Sequence, residues 1–413
     1  VYSRKHISFN SFFIFLEKIC KMITYFVVGV IVAREVGPNV FGLYSSILSV
    51  SVILAAIAAL GLNSLLAKEF ISNSNLNLVA SNSLIIRFSS CVLFSLISLL
   101  VYKYVLKLST ELSLLSSMLI MLTMSQVVDV FFESRLKNKI VSAYKVNAYF
   151  FGAALKIYSA VYLKSIYALV FSQVMELFLV FSVGLICFFR LEKSVVKHID
   201  LSIEYTVNLL KKSFPLMLSS IAVIIYMKVD QVLVLHILDE RNAGLYAAAT
   251  RLVEGCFVFS MIVMPSLFPN MIKLHGENFT EFNVFIGKVF VKFAILGLIV
   301  SVLVFLLSSE IVNLVYGVNY TEASNVLAIY ALSIPIVYIG DLFSRWLIIT
   351  DNLVLSILRH SFGLIINLSL NLLLIPVVGI EGAAVASVCG YLSSVVLFSL
   401  ISSRARSFYM FMK

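Results

Sequence analysis

About twelve long apolar stretches follow one another along this chain with little between them. A helix needs about 20 apolar residues to span the hydrocarbon core of a bilayer, with its backbone groups satisfied inside the segment. Twelve such helices would use roughly 250 residues at about 20 each, out of the 413 present. What remains is short loops, with no room for a soluble catalytic domain. A hydrophobic share of 61% and a mean hydropathy of +1.04 exclude a soluble globule. The activity therefore has to sit between helices, as in a carrier or a channel.

The apolar runs place spans at roughly 10–34, 40–64, 79–102, 109–132, 141–163 and 166–189 in the first half. In the second half they fall at roughly 213–237, 243–269, 284–308, 323–349, 353–376 and 380–402. The polar stretch Arg190–Lys212 reads as the linker between them. This predicts an all-α membrane protein of about twelve transmembrane helices in two six-helix lobes, residues 1–200 (helices 1–6) and 201–413 (helices 7–12). Phe41-Gly42-Leu43-Tyr44-Ser45 after the first span is echoed by Ala243-Gly244-Leu245-Tyr246-Ala247 after the seventh. Six spans per lobe is an even number, so the lobes are expected to be parallel repeats about a pseudo-two-fold axis along the membrane normal. Substrate would then bind at their interface, near the midplane. Pro265, Pro269 and Pro335 fall inside spans of the second half, where a bend is tolerated when neighbours re-satisfy the backbone.

The formal charge of +10 follows from the bias of Lys and Arg toward cytoplasmic loops. With the N-terminus inside, that side collects Arg4, Lys5, Arg135, Lys137, Lys139, Arg190, Lys193, Lys197, Arg404, Arg406 and Lys413, among others. The outside collects only Arg34, Lys103, Lys107, Lys164 and Arg241. Both termini are thus predicted cytoplasmic. No basic run interleaved with aromatics forms a nucleic-acid groove. The first apolar stretch is too long for a signal peptide and lacks a cleavage site, so it is expected to be a retained helix. Cys20, Cys91, Cys187, Cys256 and Cys389 lie within or beside apolar stretches and read as small hydrophobes. No zinc spacing, HExxH set, phosphate-binding GxxxxGK loop or GxSxG elbow occurs. No metal, no cofactor, no catalytic residue and no enzymatic activity are expected.

Ionisable groups inside spans are the only chemistry on offer, since each costs at least ~2.5–3.5 kcal/mol at a helix centre. Glu17 and Lys21, Asp341 and Arg345, and Arg251 and Glu254 are spaced three or four apart, where partners share a helix face. Arg87, Lys292 and Arg359 are read as snorkelling to headgroups. The candidates left are Lys18, Lys21, Lys156, Glu176, Lys228 and Asp230, with Arg251 and its neighbour Glu254. The cations Lys18, Lys21, Lys156, Lys228 and Arg251 are read as lining a cavity for an anion. Asp230, with Glu176 and Glu254, is read as the place where a proton or sodium ion acts. The alternative for several of these is interhelical pairing, such as Lys156 with Glu176.

Several local sequences then converge. Ala33-Arg34-Glu35-Val36-Gly37-Pro38-Asn39-Val40-Phe41-Gly42 resembles the loop after the first helix of polysaccharide flippases. Ala59-Leu60-Gly61-Leu62 resembles the same family's LGL turn, and Pro376-Val377-Val378-Gly379-Ile380-Glu381-Gly382-Ala383-Ala384 its entry to the twelfth helix. The family is that of Wzx-type O-antigen flippases, within a superfamily of multidrug, oligosaccharidyl-lipid and polysaccharide exporters. The resemblance implies alternating access, the bacterial inner membrane and an undecaprenyl-diphosphate-linked oligosaccharide as substrate. It also implies membrane lipids and other O-antigen assembly proteins as partners. Lys and Arg would hold the diphosphate through charge-assisted hydrogen bonds. Three rivals are a multidrug exporter of the superfamily, a lipid II flippase, and a membrane glycosyltransferase or polymerase. The first calls for an acidic or aromatic cavity, the second for two further C-terminal helices, and the third for a long catalytic loop outside.

Overall fold

The computed structural model describes residues 4–73, 75–193, 200–402 and 408. Residues 194–199 of the expected linker, and the basic residues Arg404, Arg406 and Lys413, lie outside the described residues. Among the described residues there is no strand. The helices are α1 (Arg4–Ala58), α2 (Leu62–Ser72), α3 (Leu76–Leu100), α4 (Thr110–Met121), α5 (Gln126–Ser134), α6 (Asn138–Tyr158) and α7 (Ile166–Leu191). They continue as α8 (Ile203–Ile237), α9 (Glu240–Glu277), α10 (Phe279–Leu306), α11 (Ser308–Val315), α12 (Ala323–Ala331), α13 (Ser333–Ile349), α14 (Leu353–Val378), α15 (Ile380–Leu392) and α16 (Phe398–Ile401).

Among the described residues, nine helical segments are long and apolar enough to cross a membrane, and the pair α12–α13, bent by 40°, makes a tenth. Two more follow from the sequence. Inside α1, Gly37 adopts φ 75° and ψ 173°, which breaks the helix where only glycine fits without strain. Pro38 then opens the second limb, a position where its missing N–H costs nothing. The eleventh span is thus the other half of α1. The twelfth is α6, extended by a π turn over Ser159–Leu163 and kept out of the apolar set by its polar residues. Twelve spans are what the apolar pattern predicts.

Side-chain caps set several helix starts. Asn278 accepts from the amides of Thr280 and Glu281 at 3.1 and 3.2 Å, and Asp239 accepts from Asn242 at 2.7 Å. Each satisfies donors that the first turn leaves open. Lipid-facing surfaces are apolar outward: on α10, Ile295, Leu298, Ile299, Val302 and Leu306 are all exposed. That spacing is one helical stripe, which in water would be an aggregation surface and in a bilayer is the solvated face.

The chain forms two compact units. One holds the residues up to Val40 with Ser46–Ile224, and the other holds Phe41–Ser45 with Ile225–Lys413. In the first, Phe70, Phe131 and Phe188 stack edge-to-face at 5.1 and 5.2 Å, an arrangement that suits the ring quadrupoles. In the second, Tyr226, Phe257 and Tyr330 ring Tyr391. The two Gly-Leu-Tyr segments meet inside this second unit. A Cβ on Gly42 would lie 2.4 Å from the Gly244 nitrogen and 2.0 Å from the Glu240 carbonyl oxygen. Small residues are what allow membrane helices to approach this closely. The bend at Leu332 lies just before Pro335, whose ring fills the space left by Gly297.

Candidate functional site

The most complete polar site lies in the second unit, around Asp230 on α8. This carboxylate is 3% exposed. It accepts from Asn371 Nδ2 at 2.7 Å, Tyr246 Oη at 3.1 Å and Asn367 Nδ2 at 3.4 Å, and also from Ser387 Oγ. The donors come from α9, α14 and α15. Asn367 and Asn371 are four apart, so α14 presents both amides on one face. Every one of these donors is neutral, and no described cation forms an ion pair with the carboxylate. The amide oxygens Asn367 Oδ1 and Asn371 Oδ1 are buried and have no hydrogen-bond partner among the described residues. Buried acceptors are rarely left so. Carboxylate, amide and hydroxyl oxygens are the ligand types that a hard cation takes; in this structure the amides and hydroxyls present their hydrogens to the carboxylate.

Lys228, two residues before Asp230, points elsewhere and binds Glu254 on α9 at 2.8 Å, with both side chains about a quarter exposed. Glu254 is therefore held across helices by Lys228. The expected pairing with Arg251 is not formed, because α8 brings a cation nearer than the preceding turn of α9 does. Arg251 is buried, with its guanidinium 4.9 Å from the centre of the Phe41 ring, a cation–π contact.

In the first unit, Lys156 on α6 binds Glu176 on α7 at 2.6 Å. Gly152 makes room for this pair, since a Cβ there would sit 2.3 Å from Glu176 Oε2. Glu17 on α1 accepts from Tyr149 at 2.7 Å, so its expected pairing with Lys21 is not formed. Lys18 and Lys21 are exposed, and neither forms an ion pair with a described carboxylate. The Asp341–Arg345 pairing also fails: Asp341 accepts from Ser260, and Arg345 lies 5.2 Å over Phe268.

Snorkelling is the wrong account of two arginines. Arg87 and Arg359 are 0% and 1% exposed. Arg87 donates to Gln126 Oε1 at 2.7 Å and to the Thr123 carbonyl at 3.3 Å, where the 3-10 turn Leu122–Ser125 frees backbone acceptors. Arg359 donates to the Gly340 carbonyl at 3.3 Å and to Ser344 Oγ, over the Phe343 ring at 4.9 Å. Both arginines sit on polar groups inside helix packing. Lys292 is exposed, as snorkelling requires.

Sequence reasoning missed one cluster. Asp129 on α5 pairs with Lys145 on α6 at 2.9 Å and accepts from Tyr144. With Ser142, Tyr149, Gly152 and Lys156, Lys145 forms a stripe repeating every three or four residues down α6. That spacing is legible in the sequence as one helix face.

A family model described as polysaccharide biosynthesis protein matches residues 8–275. Among curated relatives, 180 residues are 27% identical to "Probable low-salt glycan biosynthesis flippase Agl15" of Haloferax volcanii. That match covers 43% of this chain and 38% of the relative, so the comparison spans well under half of the relative's length. Among solved structures, lipid II flippase MurJ in an inward closed conformation is similar with a TM-score of 0.74 at 15% identity, over 98% of this chain and 90% of that one. An inward-facing multidrug resistance MATE family transporter of the MOP superfamily gives 0.73 at 15% identity, over 94% and 96%. At such identity the likeness is one of fold.

Proposed function

We propose a transport function for this chain, which belongs to the polysaccharide biosynthesis protein family. It moves an oligosaccharide linked to undecaprenyl diphosphate, built as an O-antigen repeat unit for lipopolysaccharide, from the cytoplasmic to the periplasmic leaflet of the bacterial inner membrane. It works by alternating access, as an antiporter driven by a proton or sodium gradient, and forms no covalent intermediate. The family match over residues 8–275, on a chain with twelve spans, is the observation that carries this reading.

The substrate's diphosphate is a dense anion, and lysine and arginine bind phosphate oxygens through short charge-assisted hydrogen bonds. Lys18 and Lys21 are exposed and form no ion pair with a described carboxylate, so they are the cations open to the headgroup. Lys156 and Lys228 reach it by exchanging Glu176 and Glu254 for phosphate oxygens, and Arg251 adds a fixed positive charge. Asp230 takes the coupling ion. Its oxygens and the two amide oxygens beside it receive a hard monovalent cation, or Asp230 itself takes a proton. Occupancy then favours one conformation by as much as the ion's affinity differs between the two. Glu176 and Glu254, released by their lysines, follow the same cycle. The test is deletion of the gene followed by analysis of lipid-linked intermediates. Accumulation of the undecaprenyl-diphosphate oligosaccharide on the cytoplasmic face supports the reading, and an unchanged distribution rejects it.

A further inference from the structure

Away from these buried charges, the first unit carries an open polar groove where its apolar spans end. Helix α2 follows the second limb of α1 after the turn Ala59–Gly61. Residues Leu65, Lys68, Glu69 and Ser72 lie along one of its faces, at i, i+3, i+4 and i+7. The adjoining face, Leu62, Leu66 and Phe70, is buried in the aromatic core. Helix α8 begins beside α2, well before its own membrane-crossing segment Ser220–Ile237. Together Leu65, Lys68, Glu69, Ser72, Asn73 and Lys212 line a cavity of about 450 Å³, a volume in the ~300–1,000 Å³ range of small-ligand sites.

The groove is built. Glu69 accepts from Tyr205 Oη at 3.0 Å and faces Lys212 Nζ at 3.7 Å. Burial, and then the bond to Glu69, push the Tyr205 phenol above its ordinary range, so it stays a donor and keeps Glu69 in place. Lys212 remains half exposed, and Lys68 is exposed with no ion pair among the described residues. Two lysines against one glutamate leave the lining with a net charge of +1. That matches a phosphodiester with a single negative charge better than a diphosphate. Ser72, Asn73 and the carboxylate of Glu69 offer donors and acceptors for hydroxyl groups. On the same two helices, Ile71, Ile203, Val207 and Phe214 are exposed. Apolar residues flanking lysines at the end of a span are the composition of a lipid interface.

We propose that the groove between α2 and the start of α8 binds the headgroup of a monoanionic, hydroxyl-bearing phospholipid of the phosphatidylglycerol kind. Lys68 and Lys212 hold the phosphate, Ser72, Asn73 and Glu69 bond the polyol, and the acyl chains lie along Ile203, Val207 and Phe214. The site would fix the foot of α8 to the bilayer surface. It rests on membrane embedding and not on the substrate reading, so loss of either leaves the other standing.

The test uses the full-length protein in phosphatidylcholine nanodiscs doped with a photoactivatable phosphatidylglycerol, with the labelled peptides mapped by mass spectrometry. Labelling is expected within residues 62–73 and 203–214. It should fall roughly thirty-fold in the Lys68→Gln, Lys212→Gln double variant, as for two lysines withdrawn from an anionic surface. The double arginine variant should retain it, and so should Lys211→Gln, outside the groove. Lys68→Gln alone, at an exposed position, carries the test if the double variant fails to fold, with a loss of roughly fivefold. Equal labelling by a phosphatidylcholine probe, or labelling unchanged in the variants, would overturn the proposal. Displacement by water-soluble glycerol phosphate would show a free phosphate ester site instead, and displacement only by undecaprenyl diphosphate a substrate site. Either result overturns the assignment to phospholipid.

Discussion

Replacing Asp230 by asparagine keeps the size and shape of the side chain while removing the one formal charge of its cluster. In the folded protein the carboxylate is 3% exposed and bonded by Asn371, Asn367, Tyr246 and Ser387. A cation about 4 Å from a carboxylate gains about 4 kcal/mol at an effective dielectric of about 20. An asparagine oxygen keeps part of that as a dipole. The net loss is then about 3 kcal/mol, roughly a hundredfold in ion affinity at about 1.4 kcal/mol per decade. The fold should survive, since a neutral amide can still accept from two of the four donors. The other two donors are left unpaired at about 1–3 kcal/mol each, a cost checked by thermal melting of the purified protein. The assay is transport in proteoliposomes under an imposed sodium or proton gradient. Asp230→Asn should lose the gradient dependence and Asp230→Glu retain part of it. Gradient-driven transport at the wild-type level in a folded Asp230→Asn protein would refute the coupling role.

Neutralising Lys21, Lys228 or Arg251 to Gln should impair export several-fold at unchanged protein level, and normal export in all three would reject the anionic headgroup. The Lys228→Gln, Glu254→Gln double variant separates two roles: restored export means that Lys228 serves only its ion pair at 2.8 Å. Truncating one partner of the Lys156–Glu176 pair should destabilise by about 3 kcal/mol or more, because it strands a charge in a packed site. The Lys156→Met, Glu176→Leu double variant should recover much of that loss in a melting experiment. Gly42→Val should abolish folding or transport, since its Cβ would overlap the backbone of Glu240 and Gly244; cysteine accessibility of neighbouring positions reports the displacement.

The twelve spans were legible because apolar runs of about 20 residues have one solution in a bilayer. The Gly37–Pro38 break was legible too, as a glycine that must turn and a proline that must start. Partners of the charges were not. Local spacing favoured Arg251 with Glu254 and Glu17 with Lys21, whereas α8 supplies Lys228 to Glu254 and α6 supplies Tyr149 to Glu17. Long side chains on neighbouring helices, whose axes pack about 8–10 Å apart, reach one another across the contact, so spacing along one helix does not decide the pairing. Asn367 and Asn371, four apart within an apolar run, were the overlooked signal. They carry no charge, yet a buried amide needs partners almost as a carboxylate does. Arg87 and Arg359 look like surface-seeking cations in sequence, and only the acceptors that neighbouring helices offer them, the carbonyls of Thr123 and Gly340 among them, show why they are buried.

The central claim is that this chain carries a lipid-linked oligosaccharide across the bilayer. Its most direct test is reconstitution of the purified protein into proteoliposomes carrying undecaprenyl-diphosphate oligosaccharide in the inner leaflet, with a membrane-impermeant glycan-modifying enzyme outside. The account predicts protein-dependent exposure of the glycan, accelerated by an ion gradient and lost when the diphosphate is replaced by a neutral linker. Exposure no faster than in protein-free liposomes, or a protein that moves cationic drugs and leaves the glycan lipid in place, would contradict it.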